Sequence, residues 1–309
     1  MTQNAINGKA PIASWHRKLL IAGAVFSVLL IAMGGVLCVT QSIRNCPDWP
    51  GCFGTFIPPA QPGPILEYTH RALAAISGLL ILSAAITGLV RAPRFRWITI
   101  PPIVAVVLLV EVSYFGAQVV LRGLAPGWAA VDVGSALLVV ALMIASAVVA
   151  SARKINPQLP DRLSFKGFFA RLVLITTAVV YIVLVSGILV ASKSSITACL
   201  GWPIYNLQLF QSDGHGVGNA LRWILSLAAI VGLIAVPLVG WRNRLERPTL
   251  FKHAAWLGAV TILEALVQVL LLIFGHPVSL LIVYTITAAI FWALLVSLLV
   301  RAGLDVAHP

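Results

Sequence analysis

Residues 19–40 read LLIAGAVFSVLLIAMGGVLCVT, a run without one charged side chain. At 1.5 Å per residue a helix of that length rises about 33 Å, enough to cross roughly 30 Å of hydrocarbon. Runs of the same kind return at 70–90, 99–121, 129–152, 168–191, 221–240, 254–274 and 280–300. Lipid offers backbone groups no partner, so each run is expected to be an α-helix. The fold class is therefore all-α integral membrane, with eight transmembrane helices. Composition points the same way: hydrophobic residues make up 60% of the chain, charged ones 10%, and mean hydropathy is +1.00. A soluble fold has too little interior for that much apolar surface. The 19–40 run has full span length and no small-residue cleavage site, so it reads as a retained span rather than a signal peptide.

The formal charge of +12 would suggest nucleic acid in a soluble protein, but its distribution says otherwise. Basic residues gather at the N-terminus (Lys9, Arg17, Lys18) and in alternate connections: Arg91, Arg94, Arg96; Arg153, Lys154, Arg162, Lys166; Arg242, Arg244, Arg247, Lys252. The other connections hold only Arg44, Arg122 and Lys193. By the positive-inside rule both termini are cytoplasmic. The excess is a topology signal, and the partner is membrane lipid, not nucleic acid.

The first connection is then on the outer face of a plasma (inner) membrane. It reads Asn45-Cys-Pro-Asp-Trp-Pro-Gly-Cys-Phe-Gly54. That compartment permits disulfides, and Asp48-Trp49-Pro50-Gly51 supplies turn formers that bring Cys46 and Cys52 within bridging range. A disulfide is the leading expectation; two thiols packed under the loop are the alternative. So short a loop removes only about 2 kcal/mol of unfolded-chain entropy, which leaves room for a redox or loop-shaping role. Cys38, at the outer end of the first helix, reads as a small buried apolar residue.

The chain also echoes itself. Cys46-Pro-Asp-Trp49-Pro50-Gly-Cys52 returns as Cys199-Leu-Gly-Trp202-Pro203-Ile-Tyr205, and Arg71-Ala-Leu-Ala-Ala-Ile as Arg222-Trp-Ile-Leu-Ser-Leu. The offset is close to half the chain. It implies two tandem four-helix bundles, 1–155 and 156–309, related by a pseudo-two-fold axis near the membrane normal. Tyr205 replaces the second cysteine, so only the first half keeps the pair.

After the first loop comes Glu67-Tyr-Thr-His70-Arg71, where spacing of three and four places carboxylate, imidazole and guanidinium on one face. Ionisable groups at membrane depth are functional hypotheses by default. Imidazole suits haem iron, and the adjacent guanidinium suits propionates. The competing reading is an interfacial helix start, with Glu67 at the positive end of the dipole and Arg71 snorkelling. Glu111 and Glu264, in the third and seventh spans, are expected to face the interior, either paired with a neighbour or protonated and bonded to a backbone carbonyl. Gln118 and Gln268 are candidates for hydrogen bonds between helices.

Together, CPDWPxC, the ExxHR after it, Gly123-Leu-Ala-Pro126 after the third helix and the duplicated four-helix plan resemble the haem A synthase family. That resemblance implies two bundles with two histidines near the outer end of each. The first bundle takes haem O, and the second holds a b-type haem. The reaction oxidises a haem O methyl group stepwise to the formyl of haem A, for terminal oxidase biogenesis. On the same resemblance Glu67 is the catalytic carboxylate, His70 an axial ligand, and Cys46 and Cys52 a redox-active pair. Arg71 and its counterpart Arg222 are cofactor-binding residues. Haem O synthase, a terminal oxidase or another membrane complex are the implied partners.

Three family ligand positions depart from that pattern. Asp132 stands where the fourth helix should begin with histidine, Leu221 where the second ExxHR should carry it, and Tyr284 where the last belongs. His16 and His253 lie toward the cytoplasmic side and His308 in the tail, while His215 and His276 lie in outer connections near the vacated positions. The expectation is haem in the first half, b-type or as haem O substrate, with Asp132 a weak second ligand, and no haem in the second. Three functions follow: a divergent haem A synthase, a non-catalytic haem-binding or delivery relative, or a structural subunit of a respiratory or photosynthetic complex.

Overall fold

The computed structural model describes residues 12–159, 161–190, 199 and 216–305. Eight helices account for nearly all of them: α1 Ser14–Val39, α2 Pro62–Arg91, α3 Arg96–Leu121, α4 Pro126–Ile155, α5 Phe168–Val190, α6 Gly216–Arg242, α7 Pro248–Phe274 and α8 Val278–Asp305. All eight are long and apolar enough to cross a membrane. Among the described residues there is no strand, only one isolated bridge between Cys52 and Thr55. The protein is an eight-span integral membrane protein.

Several helices start earlier than the apolar runs do. α2 begins at Pro62 rather than near 70, and α7 at Pro248 rather than 254. In each, proline occupies the first helical turn, where its missing N–H leaves no bond unmade. The polar residues that follow are helical although hydropathy alone would end the span before them. Glu67 and His70 therefore sit in the second and third turns of α2, not at its mouth.

Helices α1 to α4 pack as a ring, α1 on α2 and α4, α3 on α2 and α4, and α5 to α8 pack likewise. The rings meet through α1 against α8, α4 against α8, and α4 against α5. Two close approaches fix that seam. A Cβ built on Gly35 of α1 would lie 2.8 Å from Thr285 Cβ of α8, and one on Gly134 of α4 would lie 3.0 Å from the Tyr181 hydroxyl of α5. In hydrocarbon, where apolar burial drives little association, small residues at such crossings let helices touch along their backbones. The Trp292 indole donates to the Leu137 carbonyl across the seam at 3.0 Å. Replacing Gly35 with valine should part α1 from α8 and lower stability by about 1–3 kcal/mol, read as a drop in thermal midpoint in detergent. An unchanged midpoint would mean the contact is not tight.

At the end carrying the basic connections, Arg153 of α4 lies 4.5 Å over the Phe95 ring and pairs with Asp161 at 3.5 Å. Asp161 also accepts the Arg96 N–H, at 2.6 Å. The segment that follows is tied down by a hydrogen bond from Ser164 N to Gly303 O, at 2.8 Å. These contacts anchor the α4–α5 connection, so at that end the seam is held by the backbone itself and by polar contacts, with no disulfide among the described residues.

Candidate functional site

The opposite end is organised around Glu67 of α2. Its side chain is buried, 3% exposed, yet both oxygens are satisfied. Oε2 accepts the Cys46 N–H at 2.7 Å, and Oε1 accepts from Arg71 Nη2 at 2.5 Å, one turn on. Arg71 Nη1 reaches into the loop and donates to the carbonyls of Asp48 (2.7 Å), Pro50 (3.3 Å) and Gly51. Spacing of four thus joins carboxylate to guanidinium as expected. What spacing could not show is that both then clamp the Cys loop, so the guanidinium donors point to peptide carbonyls.

The loop is tightly built. Cys46 and Cys52 form a disulfide, Cα to Cα 4.7 Å, with both residues fully buried. Asp48 accepts the Phe53 and Gly54 N–H groups, each at 2.6 Å. Those bonds, Gly54 foremost, hold its carboxyl below the ordinary 3.8 against the opposing effect of burial. A carboxylate so depressed stabilises the loop above its unfolded value and loses that contribution as pH falls through the folded one, so the loop is held throughout the neutral range. Gly51 is required because a Cβ there would lie 2.8 Å from the Thr55 carbonyl, and Gly54 sits at φ +71, where glycine carries no steric penalty.

His70 stands apart from this clamp. Its ring turns toward α1, where a Cβ on Gly34 would come within 3.4 Å of Cε1 and 4.0 Å of Nδ1. Nδ1 is buried without a hydrogen-bond partner. A buried polar atom left unpaired costs about 1–3 kcal/mol. Asp132, on α4, also has its Oδ1 buried and unpartnered. Its charged neighbour is Glu111 of α3, which accepts the Ser135 hydroxyl at 3.1 Å.

In α6, Arg222 is buried with Nε and Nη2 unbonded, near Tyr284 of α8. Tyr284 is fully enclosed in the apolar core, whereas Leu221 is 56% exposed. Glu264 is buried beside the Thr287 hydroxyl, and that hydroxyl in turn donates to the Val283 and Tyr284 carbonyls. His276 is exposed in the α7–α8 turn. His215 and Tyr205 lie outside the described residues.

One residue is corrected outright. Cys38 is not a plain apolar residue: it is disulfide-bonded to Cys199, Cα to Cα 5.5 Å, across a sequence separation of 161. The even cysteine count was the available signal, since pairing Cys46 with Cys52 leaves these two for each other. Closing so long a loop removes up to about 5 kcal/mol of free-chain entropy, against about 2 for the local bridge. Both figures are upper limits for helices already held in a bilayer.

The model of the cytochrome oxidase assembly protein family COX15-CtaA matches residues 60–296, most of the chain and all of the helices from α2 to α7. The chain belongs to this family. It is 27% identical over 306 residues to the "Heme A synthase" of Shouchella clausii, covering 92% of this chain and 94% of that one. It is 25% identical over 261 residues to the "Heme A synthase" of Halalkalibacterium halodurans, covering 82% and 85%. A third similarity, 31% over 132 residues, is to "Protoheme IX farnesyltransferase 1" of Natronomonas pharaonis, covering 43% of this chain and 25% of that protein. Family membership brings haem chemistry to this membrane bundle. Glu67, His70 and Arg71 lie in α2, inside the matched region, whereas the Cys loop that Glu67 and Arg71 hold precedes it.

Proposed function

We propose that this protein is a haem A synthase-type oxidoreductase of the plasma membrane, acting on haem O in the α1–α4 half (residues 1–155) with His70 as iron ligand. The observation that carries the reading is the buried, unpartnered Nδ1 of His70, in a chain similar to two proteins named heme A synthase. An imidazole nitrogen with no hydrogen-bond partner is the kind of donor that haem iron takes as a ligand. The basic residues at the opposite end support cytoplasmic termini and an outer-face Cys loop.

The residues of the first half fit a porphyrin; those of the second do not fit a histidine-ligated one. Leu221 offers no donor and faces outward, and Tyr284 is packed in the core. On this reading the second half (residues 156–309) carries no bis-histidine haem at the Leu221 and Tyr284 positions. Bound haem would supply an iron centre that activates an oxidant beside the substrate methyl group. The chain supplies position and proton handling. His70, packed against Gly34 of α1, would hold the iron. Glu67, each of whose oxygens accepts one hydrogen bond and keeps a second lone pair, is the carboxylate placed for proton handling. Cys46–Cys52 shapes the loop over the site. The similarity to a farnesyltransferase acting on protohaem supports haem O synthase as the supplier of substrate.

One observation favours a second reading, a haem-carrying relative without catalysis: Glu67 is already engaged with the loop. Expression in a host that makes haem O but no haem A separates the readings. Extracted haem A supports the enzyme, haem O or haem b alone the carrier, and no haem a structural subunit.

Asp132 yields a further expected result. A haem held by the His70 imidazole and no second histidine would be high-spin. Asp132→His should convert it to low-spin and raise haem retention, visible in the optical spectrum of the purified protein. A protein that stays haem-free after this change would mean the first half is not a haem site.

A further inference from the structure

The two cystines at the Cys-loop end differ in reach and in access. Cys46 and Cys52 are six residues apart and fully buried. Cys38 and Cys199 are each only partly buried, and they join the end of α1 to the stretch between α5 and α6. Cys38 lies one turn beyond Gly35, whose contact with Thr285 closes α1 onto α8, so the bond caps the seam between the two helix rings. The other end of that seam carries the Ser164–Gly303 and Arg153–Asp161 contacts and no disulfide. Among the described residues, Cys38–Cys199 is the one disulfide across it, and it lies at the end of the Cys loop, opposite the backbone connection from α4 to α5.

We propose that Cys38–Cys199 is the redox-addressable bond of this protein, a covalent lock between the two rings that a dithiol reductant of the same compartment opens. Thiol–disulfide exchange needs a thiolate to reach a sulfur, and burial shields Cys46–Cys52 from such an approach. The reductant's thiolate attacks one sulfur of the cystine, forming a mixed disulfide and releasing the other cysteine as thiol. Its second thiol then resolves the mixed disulfide. The net change is two electrons: the cystine becomes two thiols and the dithiol becomes a disulfide. Opening removes the disulfide from this end of the seam, where α1 still meets α8 at Gly35 and Thr285.

The test uses the full chain with a site-specific protease sequence inserted in the 156–167 connection. After cleavage, non-reducing denaturing electrophoresis should show the two fragments still joined, separating on reduction, and separating without reductant in Cys38→Ser. In a second arm the intact protein in mild detergent is exposed to graded dithiothreitol, alkylated and mapped by mass spectrometry. Cys38 and Cys199 should be labelled at roughly tenfold lower reductant than Cys46 and Cys52. Unreduced wild-type fragments that separate would show the lock does not exist. Labelling of Cys46 and Cys52 first, or of all four together, would show it is not the addressable bond. Neither arm depends on bound haem, so failure here and failure of the haem reading are distinct.

Discussion

Glu67→Ala should lower the stability of the folded protein by about 3 kcal/mol, at the lower end of the range for breaking a buried ion pair. Two groups lose their acceptor at once. The Cys46 N–H loses the Glu67 oxygen it donates to, and Arg71 keeps only carbonyls where it had a carboxylate. The side chains of the pair are 12% and 4% exposed, so water restores little of what is removed. Glu67→Gln retains an amide oxygen for one of the donors and should fall between the wild type and the alanine variant. Thermal unfolding in detergent, followed by helix content, reads the order directly. Equal midpoints for all three proteins would mean that the clamp is an exposed surface pair worth little.

His70→Ala should behave in the opposite way, and the contrast separates a ligand from a structural residue. The Nδ1 atom makes no hydrogen bond in the protein, so removing the ring takes away a buried, unpaired polar atom together with its packing against Gly34. The haem-free fold should therefore keep its midpoint within about 1 kcal/mol of the wild type. Haem retention, by contrast, should fall by more than roughly tenfold, because loss of the ligand itself exceeds the effect of disturbing a ligand's surroundings. Equilibrium titration of the haem-depleted proteins with haemin, followed at the Soret band, measures the second quantity. Retained affinity together with a lost midpoint would assign His70 to packing alone.

The eight spans are legible in the sequence because bilayer thickness and backbone satisfaction leave an apolar stretch one structure to adopt. Their starts are not, since a polar first turn such as Pro62-Gly-Pro-Ile-Leu-Glu67 is apolar-poor but helical. The Glu67–Arg71 pair follows from helical spacing, whereas the Glu67 bond to Cys46 N spans 21 residues and depends on the loop folding back over α2. For the same reason the Cys38–Cys199 bond is hidden from local reading: nothing near Cys38 distinguishes a packed thiol from one half of a long-range bridge. His70 and Arg71 are neighbours in sequence yet face different partners, one α1 and the other the loop, because consecutive helical residues point about 100° apart.

The haem content and spin state of the purified wild-type protein test the central claim most directly. The account predicts about one haem per chain, high-spin in the optical and electron paramagnetic resonance spectra, held by a single imidazole. A low-spin spectrum that survives His70→Ala, or wild-type protein that takes up no haem from a haem-replete membrane, would contradict it.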